Sequence, residues 1–485
     1  MATLQAQENT HDVAAVGRAG DSDEFYREQG SLPEDRGLSL LRFLCEQGGQ
    51  PLALGRRDGR HASLRGLQLG KGRLQSLRDT TPGVSACLSA TSGGVDLKDA
   101  DLSGADLAGA DLSGADLRRA NLAGAFLEQA NLSGALLEEA CLDGADLAGA
   151  DLRFAQLSNA SLSGALLEDA QCNEASMRFA ALRGSVLEGA DLRGADLWSA
   201  DLERANLTRA DARGVRLTEV NLKEADLSGA DLREAWLCDC TLAGALMHDA
   251  DLTDATLKRS DLRGADLREA DCIGVDLTNC EIEGVRLSDC WLERTRLHVH
   301  QLNGTVGEER ARDYAAAELA YSALERNFSG LNDRAGAVWA YLRRRRMQKL
   351  SARQRAHVHW SAGRRAHAMR AYLKFVIDQL TEWLCDYGES VPRVLGSLAF
   401  LFLTFTALYA ITGSVLRQAP DSENGVTYNL LSVALFSFLS MTSGAPSGVL
   451  SPRHDLALML TGLHLFLGVA LTGLLGFVLG NRIRR

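Results

Sequence analysis

Oxygen donors able to replace part of an ion's water shell lie together at Thr442, Ser443, Gly444, Ala445 and Pro446, where two hydroxyls adjoin a short run of backbone carbonyls. Pro446 has a fixed φ and no N–H, so the run fits loose coordination of a partly hydrated ion. A second ionisable group, His464, lies inside the uncharged stretch Leu456–Leu479. In an apolar stretch this residue type points to pH sensing or to lining a water-filled path, with a hydrogen-bonded packing role as the plain alternative. Gly468, Gly473, Gly476 and Gly480 follow on the same stretch and suit close helix packing or a gating hinge. Asp421 and Glu423 precede the oxygen run and would enrich cations at its mouth, unless they are ordinary solvated loop charges. Nothing points to catalysis: no Ser/His/Asp set, phosphate-binding loop or metal cluster is present, and no cofactor or metal is expected.

The elements that would hold these residues follow from hydropathy and charge. Val394–Leu416 and Leu456–Leu479 are uncharged stretches of 23 and 24 residues, each able to span a bilayer core of about 30 Å. Between them the mainly apolar segment Asn429–Thr442, 14 residues, has the length of a re-entrant segment. From Ala335 to Ile377 no acidic residue occurs, while Arg343, Arg344, Arg345, Arg346, Lys349, Arg353, Arg355, Arg364, Arg365, Arg370 and Lys374 give eleven positive charges. Beside a membrane segment such a block is drawn to anionic inner-leaflet lipids by about 1 kcal/mol per residue; a solvated helix and a nucleic-acid patch are competing readings, and nucleic acid is the least favoured partner. Arg482, Arg484 and Arg485 follow the last stretch, so both flanks and both termini are expected in the cytoplasm of a cell (inner) membrane, with an even number of crossings.

This layout resembles the two-span pore-loop channels. LFSFLSMT, Leu435–Thr442, looks like a pore helix, and residues 442–446 stand where potassium channels carry TVGYG, matching its first Thr and first Gly. The stretch EWLCDYGESVPRVL, Glu382–Leu395, is similar to bacterial pentapeptide-repeat proteins with a C-terminal ion-channel domain. The resemblance implies a cation-permeable pore, assembled as a homotetramer since two spans cannot enclose a water-filled path; weak selectivity is expected because Ala445 and Pro446 depart from TVGYG.

Upstream, every fifth residue from Leu97 to Leu302 is Leu at 36 of 42 positions, and Ala usually stands two before it. Neither a helical nor a strand period gives five-fold recurrence, so each pentad must be one side of a regular coil. The run ADLSGADLAGADLSGADL resembles the pentapeptide-repeat family, which implies a right-handed quadrilateral β-helix of 20 residues per coil, here about 50 Å long. Larger residues at the small position, Val275, Cys280, Val285, Cys290, Thr295 and His300, suggest a taper into a closing cap. Cys172, Cys240, Cys272, Cys280 and Cys290 occupy inward positions and read as small hydrophobes, and the CxC of Cys238 and Cys240 lacks a second ligand pair. Phe126, Leu166, Val186 and Leu246 differ by multiples of 20 and would stack on one face as a docking stripe for a protein partner.

The expected organisation is a disordered N-terminus (1–30), an N-terminal cap (31–94), the β-helix (95–304), a basic helical linker (305–390) and a transmembrane pore domain (391–485). The first 30 residues lack an apolar signal core. Residues 308–350 read as two helices turning at Ser329–Asn332, similar to a tetratricopeptide-type hairpin through Tyr321, Leu324, Ala337, Trp339 and Tyr341. Asp and Glu outnumber Lys and Arg by 39 to 20 in the rod, whereas residues 305–485 carry 21 basic and 13 acidic residues. The function expected is an ion channel regulated through cytoplasmic rods. The alternative is an acidic binding scaffold, of protein-interaction or DNA-mimic type, anchored by its spans.

Overall fold

The computed structural model describes residues 97–412, 415–417, 430–442, 450–452 and 455–484. The expected N-terminal segments, Asp421, Glu423 and residues 443–446 of the oxygen run lie outside them. The chain divides into two compact units after Gly336.

In the first unit the pentads wind as their period requires. Parallel bridges join residues twenty apart, Asp101 to Asn121, Asn121 to Cys141, and so on to Asp276 with Arg296. Four pentads therefore close one coil, and no register slip interrupts the series. The pentad Asp226–Ala230 shows why the consensus takes its form. The N–H groups of Asp226, Leu227 and Gly229 donate to carbonyls of adjacent coils at 2.6–2.9 Å, and Ala230 N–H donates to the Leu227 carbonyl, closing a turn. The remaining N–H, on Ser228, donates to the Asp226 carboxylate at 3.0 Å. All five donors are satisfied, and an Asp or Asn before the centre is what satisfies the one that neighbouring coils cannot reach. The third turn residue adopts a left-handed conformation, as a type II turn demands; Gly fills it at Gly229 (φ 66°), yet Phe154 holds the same place at φ 61°.

The core is the expected ladder. Leu162, Leu187 and Leu232 are fully buried, as are Ala165, Ala190 and Ala235. Where a polar residue takes the small position it finds a carbonyl: Ser185 Oγ donates to Leu182, Ser260 Oγ to Leu237 and Thr295 Oγ1 to Cys272, at 2.6–2.8 Å. Burial pushes the thiols of Cys172 and Cys240 up to about 12, so they stay protonated and act as apolar filler.

Beyond the last coil, a 3-10 turn (Val299–Leu302) leads to α1 (Gly307–Arg310) and α2 (Tyr314–Gly330). These close the open coil edge group by group. Buried Glu308 accepts from the N–H groups of Leu287 and Ser288, both at 2.6 Å. Gln301 Nε2 donates to the carbonyls of Leu277 and Cys280. Asn327 on α2 donates to the Thr295 carbonyl at 2.8 Å, which places α2 on the rod's end. An unpaired coil edge would otherwise template another strand.

The second unit is helical. α3 (Arg334–Ser361), in which the division between units falls, and α4 (Arg365–Cys385) form a hairpin turning at Gly363 (φ 73°). A short 3-10 turn then leads into α5 (Val391–Thr412), β1 (Val415–Arg417), α6 (Leu430–Thr442), β2 (Leu450–Pro452) and α7 (Asp455–Arg484). β1 and β2 pair antiparallel. Because β1 follows α5 and β2 precedes α7, the two long helices are antiparallel neighbours with their loop ends together. Val391–Thr412 and Asp455–Gly480 are long and apolar enough to cross a membrane.

Candidate functional site

The short helix α6 packs against both long helices. Phe405 and Tyr409 of α5 meet Val433 and Phe436 of α6 in a buried cluster flanked by Leu401, Leu460 and Leu467. Tyr409 and Phe436 stand edge to face at 5.1 Å between ring centres. Ser437 Oγ of α6 donates to the Phe402 carbonyl. At the opposite end of the long pair, Val394 of α5, Val478 of α7 and Cys385 form a second buried cluster. α6 thus occupies only the half of the pair near β1 and β2. Its bounds agree with the apolar segment expected at 429–442, because its apolar residues have two packed helices to bury against.

His464 is fully buried in this half. Its ring stacks on Phe405 at 4.2 Å between centres, and Nδ1 lies 3.5 Å from the Tyr409 hydroxyl. Its Nε2 is buried without a hydrogen-bond partner among the described residues. Gly468 marks the closest approach of α7 to α6: a Cβ there would lie 2.6 Å from both the Met441 carbonyl oxygen and Cγ. Gly473 and Gly476 face open space. Thr442 ends α6, and its hydroxyl donates back to the Phe438 carbonyl at 2.9 Å, so it is the one member of the candidate oxygen run placed here.

The basic block divides into two parts. Arg345 and Arg346, grouped by sequence with lipid-facing cations, turn inward instead: Arg345 pairs with Asp378 at 3.3 Å and Arg346 with Glu382 at 3.1 Å, while Lys349 also pairs with Glu382. The physical reason is helical spacing. Asp378 and Glu382 lie four residues apart on one face of α4, and Asp386 follows at its left-handed cap, so all three present carboxylates to α3. Burial alone would raise the Glu382 carboxyl, but Lys349 and Arg346 outweigh it and hold it below its ordinary value. Arg393, at the start of α5, bonds the Glu382 carbonyl and pairs with Asp386 at 3.2 Å. The spacing of the three acids carries a sequence signal for this lock between hairpin and long helix, which reading the basic run as one block overlooks. Arg344 lies over the Tyr341 ring, and Arg364 and Arg365 are exposed at the start of α4.

On the rod, Phe126, Leu166, Val186 and Leu246 do fall on one bridge ladder, and Phe126 is 50% exposed. The carboxylates are not left bare on every face. Arg193, Arg213 and Arg233 each pair with the Asp two residues back and lie within 3.6 Å of one in the next coil, making a continuous charge ladder from Asp191 to Asp251. Arg hydrogen bonds hold Asp191 and Asp231 below the ordinary carboxylate value. By contrast, Glu128 is pushed up by its hydrogen bond to the carboxylate of Asp146.

The family described as "Pentapeptide repeats" matches this chain in eight copies at residues 96–134, 130–169, 170–209, 205–244, 245–284 and 260–298. Among curated proteins none matches. HetL, a pentapeptide repeat protein involved in heterocyst differentiation regulation in the cyanobacterium Nostoc, is 30% identical across 53% of this chain and 95% of its own, with a TM-score of 0.21. A pentapeptide repeat protein from the thylakoid lumen of Arabidopsis thaliana is 34% identical across 23% of this chain and 68% of its own (TM-score 0.13). QnrB1, a plasmid-mediated fluoroquinolone resistance protein, is 20% identical across 40% of this chain and 95% of its own (TM-score 0.27). With its family-model match over residues 96–298 and its unbroken 20-residue coils, the chain is a pentapeptide-repeat protein.

Proposed function

We propose that the second unit is one quarter of a homotetrameric, weakly selective cation channel in a cell (inner) membrane, with the pentapeptide-repeat rods in the cytoplasm biasing its opening. The observation that carries this reading is α6, a short apolar helix wedged into one half of an antiparallel pair of span-length helices. A bare anchor has no use for a third helix that stops halfway. α5 and α7 are the spans, α6 enters from outside, and Thr442 delivers the chain into the oxygen run 443–446, where permeant ions exchange water for hydroxyls and carbonyls. Four copies are required, because two spans cannot enclose a water-filled path; Ile411 and Met459, 84% and 74% exposed, then face lipid or neighbouring copies. A partner bound to the rod acts by favouring one state of the pore. The half-buried ion pairs between α3 and α4, with the exposed pair of Arg393 and Asp386, carry that bias to α5.

Single-channel recording of the purified full-length protein in planar bilayers tests this. Discrete cation currents, with a reversal potential altered by Thr442→Ala or Ser443→Ala, are expected. Absence of current from correctly assembled tetramers across candidate rod ligands would overturn it. The rod's exposed Phe126 and Leu166 favour a second reading, an anchored binding scaffold, in which rod partners bind but no ion crosses.

A further inference from the structure

α4 carries an apolar face that none of the described residues covers. Met369, Tyr372, Leu373, Ile377, Leu380 and Trp383 are each 50–61% exposed. They recur at three- and four-residue spacing, so they form one stripe about 21 Å long on a helix rising 1.5 Å per residue. The opposite face carries buried Ala368, Asp378 and Cys385, of which Asp378 pairs with Arg345 of α3 and Cys385 packs with Val394 and Val478. The stripe is therefore the outward side of a firmly seated helix.

We propose that α4 lies in the headgroup layer of the anionic cytoplasmic leaflet, with this stripe sunk toward the acyl chains and its flanking cations on lipid phosphates. The inference rests on the reading of α5 and α7 as spans. Two observations choose lipid as the occupant. First, the stripe is continuous with the outward surface of α5: Trp383 meets exposed Phe400 edge on at 5.8 Å, and Ser397 Oγ donates to the Leu384 carbonyl, so the end of α4 is fixed at the first turns of the span. Second, exposed Arg364, Arg365, Arg370 and Lys374 have no ion pair among the described residues, unlike Arg345, Arg346 and Lys349 on the inner face of the hairpin. A second copy of α4 would bring the same cations against them. A phosphate layer neutralises them instead, and an amphipathic helix with basic flanks partitions to such a surface.

The test places a tryptophan at mid-stripe, Leu373→Trp in a Trp383→Phe background, in the full-length protein reconstituted into phosphatidylcholine vesicles containing phosphatidylglycerol and shallow-brominated lipid. Taken as the difference from the Trp383→Phe background, which keeps the five other tryptophans, the expected result is blue-shifted emission from the added tryptophan, quenched by the bromine, with quenching lost when Arg370 and Lys374 are both replaced by Glu. Leu380→Trp gives the same reading closer to α5 should the first variant misassemble. Unquenched, water-like emission would overturn the proposal. So would blue-shifted but unquenched emission, which would assign the stripe to a protein contact between copies. The readout needs no current, so a silent protein that still shows quenching removes the channel reading and leaves this one standing.

Discussion

The rod and the helical unit solve opposite problems of solvent. In the rod, outward side chains are charged and in places laddered into ion pairs, and polar groups that enter the core, such as Ser185 and Thr295, find a carbonyl at once. In the helical unit, Ile411, Met459 and Phe466 face outward at 69–84% exposure while His464 is sealed inside with a ring nitrogen unpartnered. The first pattern belongs to a body complete in water. The second is the pattern expected of a body whose surroundings are themselves apolar, as the channel proposal requires.

That contrast can be broken most forcefully in the rod. Leu162→Ala should cost about 2–5 kcal/mol, because a closed ladder cannot collapse into the space. The loss should appear as a lower melting temperature for the rod, while assembly of the helical unit stays intact; a parallel loss of assembly would mean that the two units do not fold separately. Gly468→Ala comes next. Its Cβ would strike Met441 backbone, so a cost of about 1–3 kcal/mol and a displaced α6 are expected in detergent melts and currents. Gly473→Ala and Gly476→Ala meet open space and should be neutral or gain up to about 1 kcal/mol of helix propensity. Impaired opening in those two despite intact folding would identify a hinge instead of packing.

The rod's cap gives a sharper, pH-dependent comparison. Glu308→Ala should cost about 1–3 kcal/mol by orphaning the N–H groups of Leu287 and Ser288, whereas Glu308→Gln keeps an acceptor and should be close to neutral. Burial raises the Glu308 carboxyl despite those backbone bonds, so the folded rod holds this proton more tightly than the unfolded chain. Its contribution is therefore fully present below the ordinary glutamate value and declines as pH rises through the raised one. Asp191 and Asp231 act in the opposite sense: lowered in the fold by Arg193 and Arg233, their contribution is present above about pH 4 and lost as pH falls through the folded value. Equilibrium unfolding of the rod against pH should show both slopes, and Glu308→Gln should erase only the first. The smallest effect expected is a gain. Phe154 sits exposed in a left-handed turn, so Phe154→Gly should stabilise the rod by about 1 kcal/mol. A loss would show that the ring makes a contact outweighing the strain.

Most of the rod was legible because a five-residue period leaves one arrangement open, and the inward cysteines followed from register alone. The cap was legible as helices but not as a closure. Nothing local to Glu308 says that its carboxylate will stand in for the carbonyls of a missing coil, since that depends on where α1 lands. In the helical unit, lengths and hydropathy placed α6 to within a residue, but α5 already ends at Thr412, with Leu416 in β1, and α7 runs past Leu479 to Arg484. The inward turn of Arg345 and Arg346 was missed because the basic run was read as a block, although the acids at 378, 382 and 386 mark the face that claims them. His464's stacking on Phe405 has no sequence signal, because 59 positions of chain separate the two rings.

The twenty-residue return makes this rod a measuring stick with fixed graduations. Gaining or losing four pentads lengthens or shortens it by about 4.8 Å and leaves every face pointing where it did. A change of one pentad rotates everything beyond it by a quarter turn, carrying Leu246 off the side that Phe126 occupies and splitting the Asp–Arg ladder between two sides. Length and bearing are thus inherited separately, and a relative able to engage the same partner should differ from this rod by whole coils.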